Sequence, residues 1–190
     1  MLLALSTGMR RGEIMALRWS NVDLDRGLIT VTESLEETRT GLRFKAPKND
    51  KHRSVALPAY AVDELRRHRT EQAQQLLRLG VRLSAETLVC AREDGEPKRP
   101  LAVTYEFARF VKRLPWLPAV RFHDLRHSHA TQLLASGVHP KIAQERLGHS
   151  SINVTLDLYS HVTPTMQSDA AERLDLAMRG ALADLKKGVQ

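Results

Sequence analysis

The sequence predicts an α+β domain, mostly α, with a small antiparallel sheet of about three strands. Three observations predict it. Short β-rich segments cluster between residues 28 and 57, around the polar turn KNDK. From His123 onward the chain reads as successive helices, and two of them stop at a glycine, Gly137 and Gly148. Near the end, Ala170, Leu174, Ala177, Ala181 and Leu185 fall on one stripe of an amphipathic last helix spanning 169–185.

The elements follow in order. LLAL before Thr7-Gly8 reads as the last turns of a helix with a glycine cap, and Arg11 to Trp19 as the next helix, with Ile14, Leu17 and Arg18 at the spacing of one face. Leu28–Thr32, Leu42–Lys45 and Ser54–Leu57 are the strand candidates. Pro58 suits the first turn of a long basic helix that runs to about Leu79 and contains RRHR. The Gly and Pro content of EDGEPKRP marks a loop. Val103–Lys112 is helical and is broken by Pro115 and Pro118. HDLRHSHATQLLASG, HPKIAQERLGH and the serine-capped SSINVTLDLY are three further helices.

At 190 residues the chain is one domain of ordinary size, able to bury a core. Its formal charge is +7, and 21 of its 29 basic residues are arginine. Arginine presents a planar fork that matches phosphate oxygens in pairs, so this bias points to a polyanion, most simply nucleic acid. An arginine-rich proteome is the bland alternative. One cysteine, Cys90, cannot form an internal disulfide, which fits a reducing cytosol. No apolar run has the length of a membrane span, and MLLALSTG lacks the charged start of a signal peptide.

Four segments carry the chemistry: TGMRRGE, PKNDKHRS, FHDLRHSHAT and LGHSSINVTLDLYSH. Between them they hold Arg10, Lys48, His123, Arg126, His149 and Tyr159. Two fixed cations, a lysine, two imidazoles and a phenol suit the cleavage of a phosphodiester by tyrosine. Such a reaction must hold negative charge on phosphorus and protonate an alkoxide leaving group. Metal ions can hold that charge, but they need a carboxylate cluster, and the acids here are scattered. Each residue alone also has a plainer reading. Arg10 lies in a turn between two helices, where Glu13 either buttresses it or is an ordinary first-turn acid. His123 and Arg126 share a helix face. His123 and His127 have the spacing of a zinc pair, but Asp124 stands where zinc proteases carry glutamate, and a structural histidine pair is the simpler alternative. His149 sits at a helix C-terminus, where an imidazole is often only a dipole contact. A tyrosine near pKa 10 needs neighbouring cations and a base before it attacks anything. Lys48, with Lys45 and Lys51 as competitors, sits at a turn that could reach a phosphate or a leaving oxygen.

Taken together, these segments resemble the catalytic domain of the tyrosine recombinases, the phage-integrase family. TGMRRGEIMALRW looks like its first arginine box, FHDLRHSHATQLLASG like its H-x-x-R box, and LGHSSINVTLDLYSHV like the box with the nucleophile. The resemblance covers residues 1–165, leaving 166–190 as a C-terminal tail. It implies that Tyr159 forms a 3′-phosphotyrosyl link and releases a 5′-hydroxyl. Arg10 and Arg126 would clamp the non-bridging oxygens, with His149 adding a hydrogen bond. His123 would take the tyrosine proton, and Lys48 would protonate the leaving oxygen. No cofactor, ATP or metal is implied, because the covalent link conserves the bond. The implied partners are double-stranded DNA, three further copies in a DNA-bound tetramer joined through the last helix, and an accessory DNA-bending or excisionase protein. The implied setting is a prokaryotic cytoplasm. Arg43, Lys45, Lys51, Arg66 and Arg67 are candidates for DNA-backbone contact. Family members usually carry an N-terminal helical domain that closes on DNA. That domain and the first catalytic helices are expected to be missing here, which predicts weak, salt-sensitive binding and poor recombination by this chain alone. A non-catalytic DNA-binding remnant that regulates a longer relative is the alternative, and a type IB-like topoisomerase a more distant one.

Overall fold

Leu2–Thr7 form helix α1, and Gly8 closes it in the left-handed region at φ 66°. A side chain there would have no room: an added Cβ would stand 2.6 Å from Leu147 and 2.7 Å from the His129 ring. The chain turns, Arg10 caps helix α2 (Arg11–Ala16), and Leu17 leaves it in extended conformation. This helix is three residues shorter than the sequence suggests. Tertiary pairing ends it: Leu17 accepts from Val89, Trp19 donates to Thr87, and Trp19–Asn21 become a 3₁₀ turn. The computed structural model describes residues 1–47, 52–160, 171–172 and 174–179, with residues 158–160 described by backbone alone.

Strands β1 (Val22–Asp23), β2 (Leu28–Val31) and β5 (Arg53–Ala56) make the expected three-stranded antiparallel sheet, in the order β1-β2-β5. Val31 faces Arg53, and Ile29 faces Val55. The membership differs from the sequence reading at one strand. Leu42–Lys45 lies in β4 (Gly41–Lys45), which pairs with β3 (Ser34–Thr38) in a separate ribbon. SLEET is too charged to read as a strand. It forms one because Leu35 is buried while Glu36 faces Arg43 on the partner strand and binds both Arg43 and Lys45.

Helix α3 (Ala59–Arg78) starts after Pro58, and α4 (Pro100–Lys112) starts with Pro100 in its first turn, three residues before the sequence reading. Helices α5 (Asp124–Ala135), α6 (Pro140–Leu147) and α7 (Asn153–Ser160) follow. Residues 171–172 and 174–179 are helical, and Leu174, Leu176 and Met178 are exposed. The rest of the predicted stripe, Ala170, Ala181 and Leu185, lies outside the described residues. The core gathers α1, α2, the sheet, α4 and the start of α5 around Met9, Ile14, Ile29, Val55, Phe107 and Phe122. Trp19 donates to Gln72 at 2.7 Å, and Gln72 donates to the Leu88 carbonyl at 2.9 Å, which satisfies a buried polar pair between α3 and the core. Among the described residues, no helix is long and apolar enough to cross a membrane.

Candidate active site

Arg10 is held at both ends of its side chain. Its backbone N–H donates to Glu13 Oε2 at 2.7 Å, its Nη1 to Glu13 Oε1 at 3.0 Å and its Nη2 to the Gly148 carbonyl at 2.9 Å. Buried Met9 anchors the turn below it. Glu13 is only 2% exposed, and Arg53 grips both of its oxygens, Nη1 to Oε1 at 2.9 Å and Nη2 to Oε2 at 2.6 Å. Burial pushes the Glu13 carboxyl up, but the bonds and charge of Arg53, with those of Arg10, outweigh it and hold it below the usual range.

Arg126 comes from the first turn of α5 and is 5% exposed. Its Nη1 donates to the Gly8 carbonyl at 2.5 Å and its Nη2 to the Leu147 carbonyl at 2.8 Å. Burial first, then the positive charge of Arg10, pull its pKa down to about 9, so it stays charged at neutral pH. Arg53 Nε donates to the Arg146 carbonyl at 3.1 Å. Three successive carbonyls at the end of α6, those of Arg146, Leu147 and Gly148, therefore each accept from a different arginine: Arg53, Arg126 and Arg10. Cations at a helix C-terminus are favoured by the unpaired carbonyls there.

That turn presents His149. Its Nδ1 lies 2.9 Å from the hydroxyl of Thr155 in α7, and its carbonyl accepts from Gln144 at 3.2 Å. Burial, followed by the charges of Arg126, Arg10 and Arg53, lowers the His149 pKa to about 4. His123, at the N-terminus of α5, is lowered by burial and then by Arg126. Both imidazoles are neutral at neutral pH. His123, Arg126, His149 and Asp157 line one recess of about 350 Å³. His123 also borders a groove of about 800 Å³ that contains Arg10, Arg11, Lys45 and Arg121. The two openings meet at His123, with fixed cations on either side.

The phage integrase family is matched over residues 1–166. The chain belongs to the phage integrase family. Similar proteins include a XerC-like tyrosine recombinase of Caldanaerobacter subterraneus, 29% identical over 187 residues, covering 92% of this chain and 48% of that protein. The ICEBs1 integrase of Bacillus subtilis is 32% identical over 174 residues, covering 91% of this chain and 47% of its own. The chain thus spans about half the length of these relatives. The Tn1549 transposon integrase, solved in complex with transposon right-end DNA, superimposes with a TM-score of 0.75 at 25% identity, covering 92% of this chain and 57% of that one. A crystal structure of XerA recombinase shares the fold with a TM-score of 0.65 at 23% identity, covering 90% of this chain and 55% of that one.

Four of the six residues predicted for the site, Arg10, Arg126, His123 and His149, thus come together around one pair of openings. Tyr159 is in the last turn of α7, the helix whose Thr155 holds His149, but its side chain lies outside the described residues, as do Lys48 and Lys51. Of the remaining DNA-contact candidates, Lys45 borders the groove. Arg43 shares Glu36 with it. Arg66 binds Asp25 and the Leu24 carbonyl, and Arg67 binds Glu64 and Glu71 on its own helix.

Sequence reasoning missed Arg53, Arg146, Thr155 and His129. Arg146 donates to the Ser6 and Ala56 carbonyls and to His129 Nε2, so His129 keeps its proton on Nδ1, facing the Leu5 carbonyl. Arg53 carried a faint signal: it is a cation at the start of a strand, two residues from buried Val55 and therefore on the same face.

Proposed function

We propose that this integrase-family chain is the catalytic domain of a site-specific recombinase, which cuts and rejoins double-stranded DNA through a 3′-phosphotyrosyl intermediate. The observation that carries the reading is the convergence of Arg126, His123 and His149 on one recess and of Arg10 on the groove that meets it at His123, beside the helix that bears Tyr159.

A scissile phosphate where the recess and the groove meet finds preorganised charge. Arg10 and Arg126 bind its two non-bridging oxygens, and their hydrogen bonds to the protein fix them before substrate arrives. His149 adds a hydrogen bond: when the Thr155 hydroxyl donates to Nδ1, the proton stays on Nε2. Neutral His123 accepts the phenolic proton as Tyr159 attacks phosphorus. Lys48 gives a proton to the departing 5′-oxygen. The phosphotyrosine then holds the bond until a 5′-hydroxyl from a partner strand attacks and releases the tyrosine. This chemistry requires no cofactor.

Residues 1–165 are read as the catalytic domain and 166–190 as a docking tail, whose exposed Leu174, Leu176 and Met178 suit contact with a neighbouring copy in a DNA-bound tetramer. Lys45, Arg43, Lys51, Arg66 and Arg67 are read as backbone contacts. An accessory bending or excisionase protein and a prokaryotic cytoplasm complete the reading.

The test is to mix the protein with nicked suicide duplexes built from the DNA flanking its gene and look for an SDS-resistant protein–DNA adduct. We expect an adduct from the parent chain and none from Tyr159→Phe. DNA binding with no adduct from the parent would instead favour a non-catalytic binding module.

A further inference from the structure

Arg53 borders neither opening, yet its side chain makes three hydrogen bonds within the site. Its side chain is 11% exposed. A buried guanidinium is costly unless its hydrogen bonds are met, and here they are met by two functional elements at once. Two bonds go to Glu13, and the third goes to the α6 turn through the Arg146 carbonyl. Gly148 packs against the same guanidinium, since a Cβ built there would lie 3.0 Å from Nη1 and 3.1 Å from Cζ.

The charge arrangement gives these contacts a consequence. Glu13 is bridged by two arginines, Arg53 through both oxygens and Arg10 through one guanidinium bond. Arg10 remains 32% exposed. If Arg53 were absent, the buried carboxylate would have Arg10 as its neighbouring cation and would draw it inward. A phosphate would then compete with an internal anion for the same arginine.

We propose that Arg53 is a positioning residue for strand cleavage: it engages both oxygens of Glu13 and braces the turn before His149, which weakens the carboxylate's competition with phosphate for Arg10. This rests on the recombinase reading above.

The test compares the parent chain with Arg53→Lys, Arg53→Met, Glu13→Gln and the double variant Arg53→Met/Glu13→Gln. Affinity for the nicked duplex is read by fluorescence anisotropy, and adduct formation by single-turnover kinetics at saturating DNA. Lysine keeps the charge but cannot make a fork and a third bond together. Arg53→Lys should bind DNA within about threefold of the parent and form adduct on the order of 100-fold more slowly, the scale of a misplaced catalytic group. In the Arg53→Met background, Glu13→Gln should speed adduct formation about tenfold, because a neutral amide no longer holds Arg10. A purely structural role would make that second substitution harmful or neutral. Arg53→Lys cleaving at the parent rate would overturn the proposal, and so would a double variant no faster than Arg53→Met. Should Arg53→Met not fold, the Arg53→Lys comparison decides. A parent chain that binds DNA without forming an adduct would instead overturn the recombinase reading, and this inference with it.

Discussion

His149 and its neighbours make the site sensitive to acid. Folding lowers the His149 pKa from 6.5 to about 4. Between these values the unfolded chain binds more protons than the native one, so stability rises with pH there and is lost as pH falls from about 6.5 toward 4. His123 and His129 are lowered as well and act in the same direction. Glu13, held below 4.5, adds a loss only at lower pH. Thermal melts should show the melting temperature falling from pH 7 to pH 5, with a shallower fall in His149→Asn. Equal slopes would show that His149 is not the group responsible. Thr155, fully buried and bonded to His149, gives a second check. Thr155→Val should cost about 1 kcal/mol, measured by urea unfolding. It should also slow adduct formation about tenfold, a modest hydrogen-bond loss on the transition-state scale, while leaving DNA affinity unchanged.

The end of α6 is the element on which the site is assembled. Its last turn accepts three arginines in succession, and Gly148 at φ 67° turns the chain toward His149. Gly137, at φ 78° after α5, is the natural control, because an added Cβ there meets nothing within 4 Å. Alanine at either glycine should cost about 1–2 kcal/mol for the left-handed backbone. Gly148→Ala would also press on Arg53, so it alone should slow adduct formation, by tenfold or more. Equal activity of the two alanine variants, measured beside their unfolding free energies, would contradict this account of the turn.

Across the whole molecule, the recombinase reading and the net charge of +7 predict a DNA affinity that depends on salt. Lys45, paired with Glu36, borders the groove that contains Arg10, whereas Arg67 borders neither opening and is engaged by Glu64 and Glu71. Lys45→Ala should therefore reduce the slope of log affinity against log salt by about 1, the value of one phosphate contact. Arg67→Ala should change it less. A slope unchanged by Lys45→Ala would remove that residue from the DNA path.

The sequence by itself determined the features set by neighbours along the chain. Gly8, Gly137 and Gly148 mark helix ends because the left-handed region suits glycine. The arginine and histidine boxes point to the proposed chemistry by residue type and spacing, and the basic balance points to the proposed polyanionic partner. Tertiary structure decided what depends on contacts between distant residues. Pairing with Thr87 and Val89 ended α2 at Ala16, although the local pattern continued to Trp19. The charged SLEET became a strand because Leu35 is buried and Glu36 found Arg43 and Lys45 across the ribbon. Arg126 reaches Gly8 across 118 positions, and Arg53 reaches Glu13 across 40. A local pattern cannot encode such a meeting, because a buried arginine and a solvated one are written with the same letter. Only the fold decides which carbonyls and carboxylates surround each cation, and so which arginines can face phosphate and which must hold the others in place.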